Sequence, residues 1–163
     1  MINKIKAFDG SGNRGFTLIE MLIVIAVIAV LAGVVLAGVS GFQQSARDTR
    51  RVGDLRNTQN YLELFFNKCG HYPVSDSSGS NCGTPGTEGS VSWSTVSTAL
   101  EGVTSNVPDD PGAGTYEYGV SSTGLEYVLK ATFERENNIL NESAQGEFGV
   151  TCNTANKEYC IRS

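Results

Sequence analysis

Histidine occurs once in this 163-residue chain, at His71, and the sequence contains neither a C-x-x-C pair nor a G-x-S-x-G elbow. Any Ser/His/Asp or Cys/His catalysis would rest on His71, which stands beside Tyr72-Pro73 and reads as a surface or packing residue. With no convergent set of catalytic groups, the chain reads as a non-enzyme. Positive charge is scarce where a nucleic-acid binder needs it. Residues 71–163 carry 4 basic against 12 acidic side chains, residues 16–70 are near neutral, and the whole chain has a formal charge of −5. Charged and polar side chains are missing altogether from residues 21–39, MLIVIAVIAVLAGVVLAGV, and this stretch has no proline to break a helix. As a helix these residues rise about 28 Å, close to the roughly 30 Å of a bilayer core, so the segment reads as a membrane span.

Lys4, Lys6 and Arg14 precede the span, which places the N-terminus in the cytoplasm and the remainder outside, as a single-pass protein. Arg47, Arg50, Arg51 and Arg56 follow it, partly offset by Asp48 and Asp54, so charge alone leaves the orientation open. A secretory signal cut near "VLA" at 35–37 is the competing reading. Its apolar core is usually 7–15 residues, shorter than this block, and a glutamate at its mouth is unusual. Cys69, Cys82, Cys152 and Cys160 all lie beyond the span. An even set without metal-type spacing fits disulfides in an oxidising compartment better than zinc or free buried thiols. Of three pairings, Cys69–Cys82 and Cys152–Cys160 are favoured because each closes a short Gly/Asn/Ser-rich loop.

Past the membrane the pattern becomes amphipathic. Phe42, Ala46, Val52, Leu55, Gln59, Leu62, Phe66 and Cys69 recur at helical steps, with Arg and Asp on the other side. The helix is expected to run over residues 16–69, stopping at Gly70 as a left-handed cap with Pro73 beyond. After a Gly/Ser-rich loop, Trp93, Val96 and Leu100 mark a short helix. Tyr116, Tyr118 and Val120, then Tyr127, Leu129, Ala131 and Phe133, alternate about "SSTG" as a β-hairpin, and "GEFGVTC" at 146–152 is expected to add a third strand. Helix stripe and sheet face are the two layers one core requires, so the fold class is α+β, with a long N-terminal helix packed on a small antiparallel sheet.

Glu20 remains to be explained. A charge at the centre of a spanning helix costs about 2.5–3.5 kcal/mol on insertion scales, and Arg14, six positions away, lies off its face. Here "RGFTLIE" at 14–20 resembles the class III signal of type IV prepilins and pseudopilins. The resemblance implies a cleaved leader at 1–15, a transmembrane and assembly helix at 16–41, and an extracytoplasmic pilin-like head at 42–163. It implies that a prepilin peptidase cuts after Gly15 and that Phe16 becomes the N-methylated amino terminus. Glu20 is then the assembly carboxylate, paired with the new amine of a neighbouring copy. Ala29, Gly33, Ala37 and Gly41, spaced by four, form a small-residue stripe for close helix packing.

"LRNTQNYLELFFNKCGHYPV" and "VPDDPGAGTYEYGVSSTGLEYVLKATFE" look like the head of the major pseudopilin of type II secretion. The glycine-rich insertion at 75–90 and the cysteines depart from it. The implied function is a structural filament subunit in a secretion pseudopilus or a type IV pilus. Its implied partners are the membrane, prepilin peptidase, copies of itself, minor pilins, and the inner-membrane assembly platform and ATPase. The alternative is a low-copy membrane-tethered minor pilin or adhesin. No cofactor is expected. Asp109, Asp110 and Glu117 are weak calcium candidates by analogy with pseudopilin loops, although an Asp before proline is an ordinary turn choice. "GSGNRG" at 10–15 is a chance G-x-G-x-x-G, since no strand precedes it, and Asn141-Glu142-Ser143 is a sequon by pattern only.

Overall fold

The computed structural model describes residues 15–79 and 81–163, without side-chain detail at 36–38 and 40. It divides into one unit ending at Ser40 and another from Gly41 to Ser163. Helix α1, Leu18–Cys69, supplies the described helix of the first unit and opens the second. Its runs of Leu, Ile, Val and Ala propagate a helix readily where neighbouring side chains meet lipid or another helix. Every side chain from Leu18 to Val35 is exposed, an 18-residue stretch long and apolar enough to cross a membrane. The helix ends as expected: Gly70 adopts φ +77°, a left-handed conformation that costs glycine least, and its N–H donates to Phe66 O at 2.7 Å.

In the second unit four antiparallel strands lie in the order β1 (Gly89–Val91), β2 (Glu117–Val120), β3 (Tyr127–Thr132), β4 (Glu158–Arg162). The β2–β3 hairpin is the one the Tyr alternation indicated. Tyr118 pairs with Leu129 and Leu129 with Ile161, so one row of apolar side chains runs across three strands. That row meets Leu55, Leu62 and Phe65 of α1 and Val96 and Leu100 of α2 (Trp93–Leu100), all buried in one core. Helix α2 starts where Ser92 Oγ accepts from Thr95 N, the capping geometry that satisfies a free N-terminal amide.

The segment expected as a third strand, 146–152, is not one. Phe148 and Gly149 both adopt positive φ (54° and 78°), which turns the chain, and Val150 donates to Glu147 O across that turn. Its apolar side chains still find a surface. Phe148, Val150 and Cys152 pack on Val128 and Cys160, covering the sheet face turned away from the helix. The third and fourth strands are instead β1 and β4. With both faces covered, the middle of β4 (Tyr159, Cys160, Ile161) is buried without alternation.

The amphipathic stripe also needs correcting. Phe42 is 79% exposed and Ala46 is exposed, while Asp48, Arg51 and Asp54 are buried. Leu55 and Leu62 lie in the core as expected, but Phe65, not Phe66, is the fully buried phenylalanine. The charged residues point inward because partners from distant segments meet them there.

Both favoured disulfides form. Cys69–Cys82 joins the end of α1 to the following loop with Cα atoms 5.5 Å apart, and Cys152–Cys160 fastens the covering segment to β4 at 6.1 Å.

Candidate functional site

At the start of α1, Gly15, Phe16 and Thr17 precede the helix, and Phe16 is exposed. The leader before them, including Lys4, Lys6, Arg14 and the "GSGNRG" match up to residue 14, lies outside the described residues. Thr17 is the residue just before the first helical turn, and Glu20 is the third residue within it. Glu20 Oε2 accepts from Thr17 N and from Thr17 Oγ1, each at 2.8 Å, and Glu20 N donates to Thr17 Oγ1 at 3.3 Å. This is a reciprocal capping box, T-x-x-E, which satisfies two N-terminal amides that otherwise lack partners. Sequence reasoning missed it, although the signature stands in "TLIE".

The box supplies hydrogen bonds to the carboxylate but no cation. No Lys or Arg stands between Gly15 and Ala46. Its acceptor is therefore held in a fixed rotamer at the helix mouth, and the amide dipoles there favour its negative charge. It remains without a countercharge among the described residues.

Of the small-residue stripe, Ala29 and Gly33 are exposed, and a Cβ on Gly33 would meet nothing within 4 Å. The side chain of Ala37 is outside the described set. Gly41 differs: a Cβ there would come 3.1 Å from Arg135 Nη1, which donates to Gly41 O at 3.2 Å. Its backbone takes part in a contact within the second unit.

The calcium candidates do not converge. Asp110 accepts from Arg51 through both carboxylate oxygens, Asp109 Oδ1 accepts from Trp93 Nε1 at 3.1 Å, and Glu117 pairs with Lys130 at 2.7 Å. Among the described residues no group of three His, Cys, Asp or Glu is arranged to hold a metal ion. His71 is buried, with Nδ1 2.8 Å from Tyr72 O and its ring edge-on to Phe65, as a packing residue would be.

What charge counting did not find is an ionic seam under α1. Arg51 reaches Asp48, Asp110 and Glu134, Arg47 pairs with Glu134, and Asp48 accepts from the backbone N–H of Glu134 and Arg135. The Arg47 hydrogen bonds, with help from Arg51, lower the Glu134 carboxyl to about 2. Burial alone would raise Asp110, but the Arg51 guanidinium and the amides of Gly112 and Gly114 outweigh it and hold the carboxyl below its usual value. Deeper in, Tyr116 Oη donates to Asp54 Oδ2 at 2.8 Å, and burial first, then this carboxylate, pushes the phenol well above its usual range.

Residues 10–36 match the family described as the prokaryotic N-terminal methylation motif. Over 64 residues the chain is 34% identical to the type II secretion system core protein G of Escherichia coli, covering 39% of this chain and 44% of that protein. It is 33% identical over 84 residues to the type IV wide pilus major component PilA4 of Thermus thermophilus, covering 52% and 64%. A further core protein G, from Pectobacterium carotovorum, is 29% identical over 68 residues, covering 42% and 44%. No solved structure matches. The chain thus carries a prokaryotic N-terminal methylation motif ahead of a pilin-like α+β head, and is similar to type II secretion pseudopilins and type IV pilins, spanning about half the length of these relatives.

Proposed function

We propose that this chain is a structural subunit of a type IV-like filament, with no enzymatic role. A prepilin peptidase cuts between Gly15 and Phe16 and the new terminus is N-methylated. The apolar half of α1 holds the processed chain in the bacterial inner membrane, N-terminus cytoplasmic and head outside. Assembly transfers it, through an inner-membrane platform and its ATPase, into a polymer of copies packed helix to helix around Ala29, Gly33 and Ala37.

The observation that carries this reading is Glu20, an anion at the mouth of an apolar helix whose hydrogen bonds are met locally and which has no countercharge among the described residues. Cutting before Phe16 creates an ammonium in the same layer. The capping box engages Oε2, which leaves Oε1 to accept the amine of an adjacent copy, a pair that neutralises both ions in lipid. Such a pair forms only at one relative displacement of two copies and so sets their register.

Imaging tests the reading: cells expressing the chain with a prepilin peptidase should display filaments whose subunits begin at Phe16. Subunits retaining the leader inside filaments would contradict it. The relatives include both secretion and pilus components, and the polymer's length distinguishes the two.

A further inference from the structure

Two separate apolar clusters flank the sheet. The larger lies on the helix side, and the smaller, Val128, Val150 and Cys160, lies on the opposite face beneath residues 143–152. That segment crosses every strand. At the edge strand β4, Ala144 N donates to Cys160 O at 2.8 Å and Ser143 Oγ accepts from Cys160 N at 2.9 Å. Val150 packs on Val128 of β3. Phe148 passes over Gly119 of β2, where a Cβ would collide with Phe148 O, and Gly149 stands beside Ser90 N of β1.

Apart from its bridge, little holds this segment down. Gln145, Gly146, Glu147, Gly149 and Thr151 are exposed, and Val150 is its one fully buried residue. The Glu147–Arg162 pair, at 3.4 Å, is nearly half exposed on both sides, so solvent screens it. Gly146 and Gly149 add backbone freedom to the chain once released. The Cys152–Cys160 bridge ties the end of the segment to the middle of β4.

We infer that residues 143–152 form a redox-operated strap. The Cys152–Cys160 bridge holds it closed over the outer sheet face, and reduction of that bridge releases it while the helix-side core stays folded. Cys152 is partly exposed and Cys160 fully buried, so the bridge is open to a dithiol reductant from one side. A thiolate of the reductant attacks Cys152 Sγ, and Cys160 leaves as a thiolate and takes a proton. The reductant's second thiol resolves the mixed disulfide at Cys152. The bridge gains two electrons and two protons, and the dithiol becomes a disulfide. Opening uncovers Val128 and frees the N–H and C=O of Cys160, a sheet edge of the kind that pairs with another chain. The closed strap guards that edge. This device belongs to the head and does not depend on polymerisation.

The test uses the full chain in detergent with Cys69→Ser and Cys82→Ser, which leaves the strap bridge as its one disulfide. Amide hydrogen exchange is read by NMR before and after dithiothreitol. On reduction the amides of Ala144, Val150 and Cys160 should exchange about thirtyfold faster or more, the factor implied by the closure entropy of so short a loop, while the β3 amides stay protected. A glutamate-specific protease should cut after Glu147 in the reduced form alone, and reoxidation should restore resistance. Should that variant fail to fold, Cys152→Ser with Cys160→Ala, which keeps the other bridge, should show the open pattern without reductant. Strap amides that keep their protection with the bridge open would overturn the inference, since packing alone would then close the strap. Simultaneous loss of protection in β3 would overturn it too, because strap and core would then open as one cooperative unit.

Discussion

Arg51 donates from Nε and Nη2 to both carboxylate oxygens of Asp110, at 2.7 and 2.8 Å, across 59 residues of sequence. Both side chains are almost fully buried, 3% and 2% exposed. The pair ties α1 to the 108–114 loop, and through Glu134 and Asp48 to the end of β3, so one cation organises three segments. Removing one partner leaves the other charge buried without compensation, which costs about 3–5 kcal/mol. Asp110→Asn or Arg51→Met should therefore lower the urea midpoint of the detergent-solubilised chain sharply. Arg51→Lys should rescue little, because an ammonium cannot reproduce the two-pronged geometry.

Acid should loosen the same seam. Asp110 and Glu134 are both held below their ordinary values, Glu134 at about 2. Their stabilisation is present above the unfolded values, about 3.9 for Asp and about 4.3 for Glu, and is lost as pH falls through the folded ones. The melting temperature should be flat from pH 7 to about 5, then drop toward pH 3 and below. Glu134→Gln should show a shallower drop than the unaltered chain, and equal slopes would contradict this assignment.

The two disulfides close loops of 13 and 8 residues in a glycine-rich head. Loops of this size are worth roughly 2–3 kcal/mol each through restriction of the unfolded chain. Cys69→Ser with Cys82→Ser should shift the denaturation midpoint by that order, and reducing the unaltered chain should shift it further because both bridges open. A midpoint indifferent to reductant would show that the core alone carries the head.

Tyr116→Phe removes the hydroxyl that donates to Asp54 and leaves a buried carboxylate short of a donor. The loss should be about 1–3 kcal/mol. Tyr118→Phe removes a donor from the carbonyl of Pro73, a neutral acceptor, and should cost less. Paired thermal melts give the order directly.

Much of this architecture was legible. Alternating tyrosines specify a hairpin because side chains of a strand point to opposite faces, and the Gly70 cap and α2 follow from equally local rules. The ionic seam was not legible. Periodicity assigns Asp48, Arg51 and Asp54 to water because charge is costly to bury, and their partners lie 59 to 87 residues away. Strands β1 and β4 were hidden for a related reason. A three-residue strand has no period, and a strand covered on both faces does not alternate. "GEFGVTC" reads as a strand, but the two positive-φ residues, Phe148 and Gly149, which turn the segment onto the sheet, are a tertiary outcome. At the N-terminus the methylation motif was plain in "RGFTLIE", yet the capping role of Glu20 went unread beside it.

That second role makes one substitution decisive. Glu20→Gln retains the capping box, since glutamine also reaches back to the Thr17 amide, and removes only the charge. In cells that process the chain, the variant should be cut before Phe16 and accumulate in the membrane, while filaments disappear. Filaments of normal number and subunit spacing from Glu20→Gln would show that the carboxylate serves the helix start alone, and that no amine from a neighbouring copy depends on it.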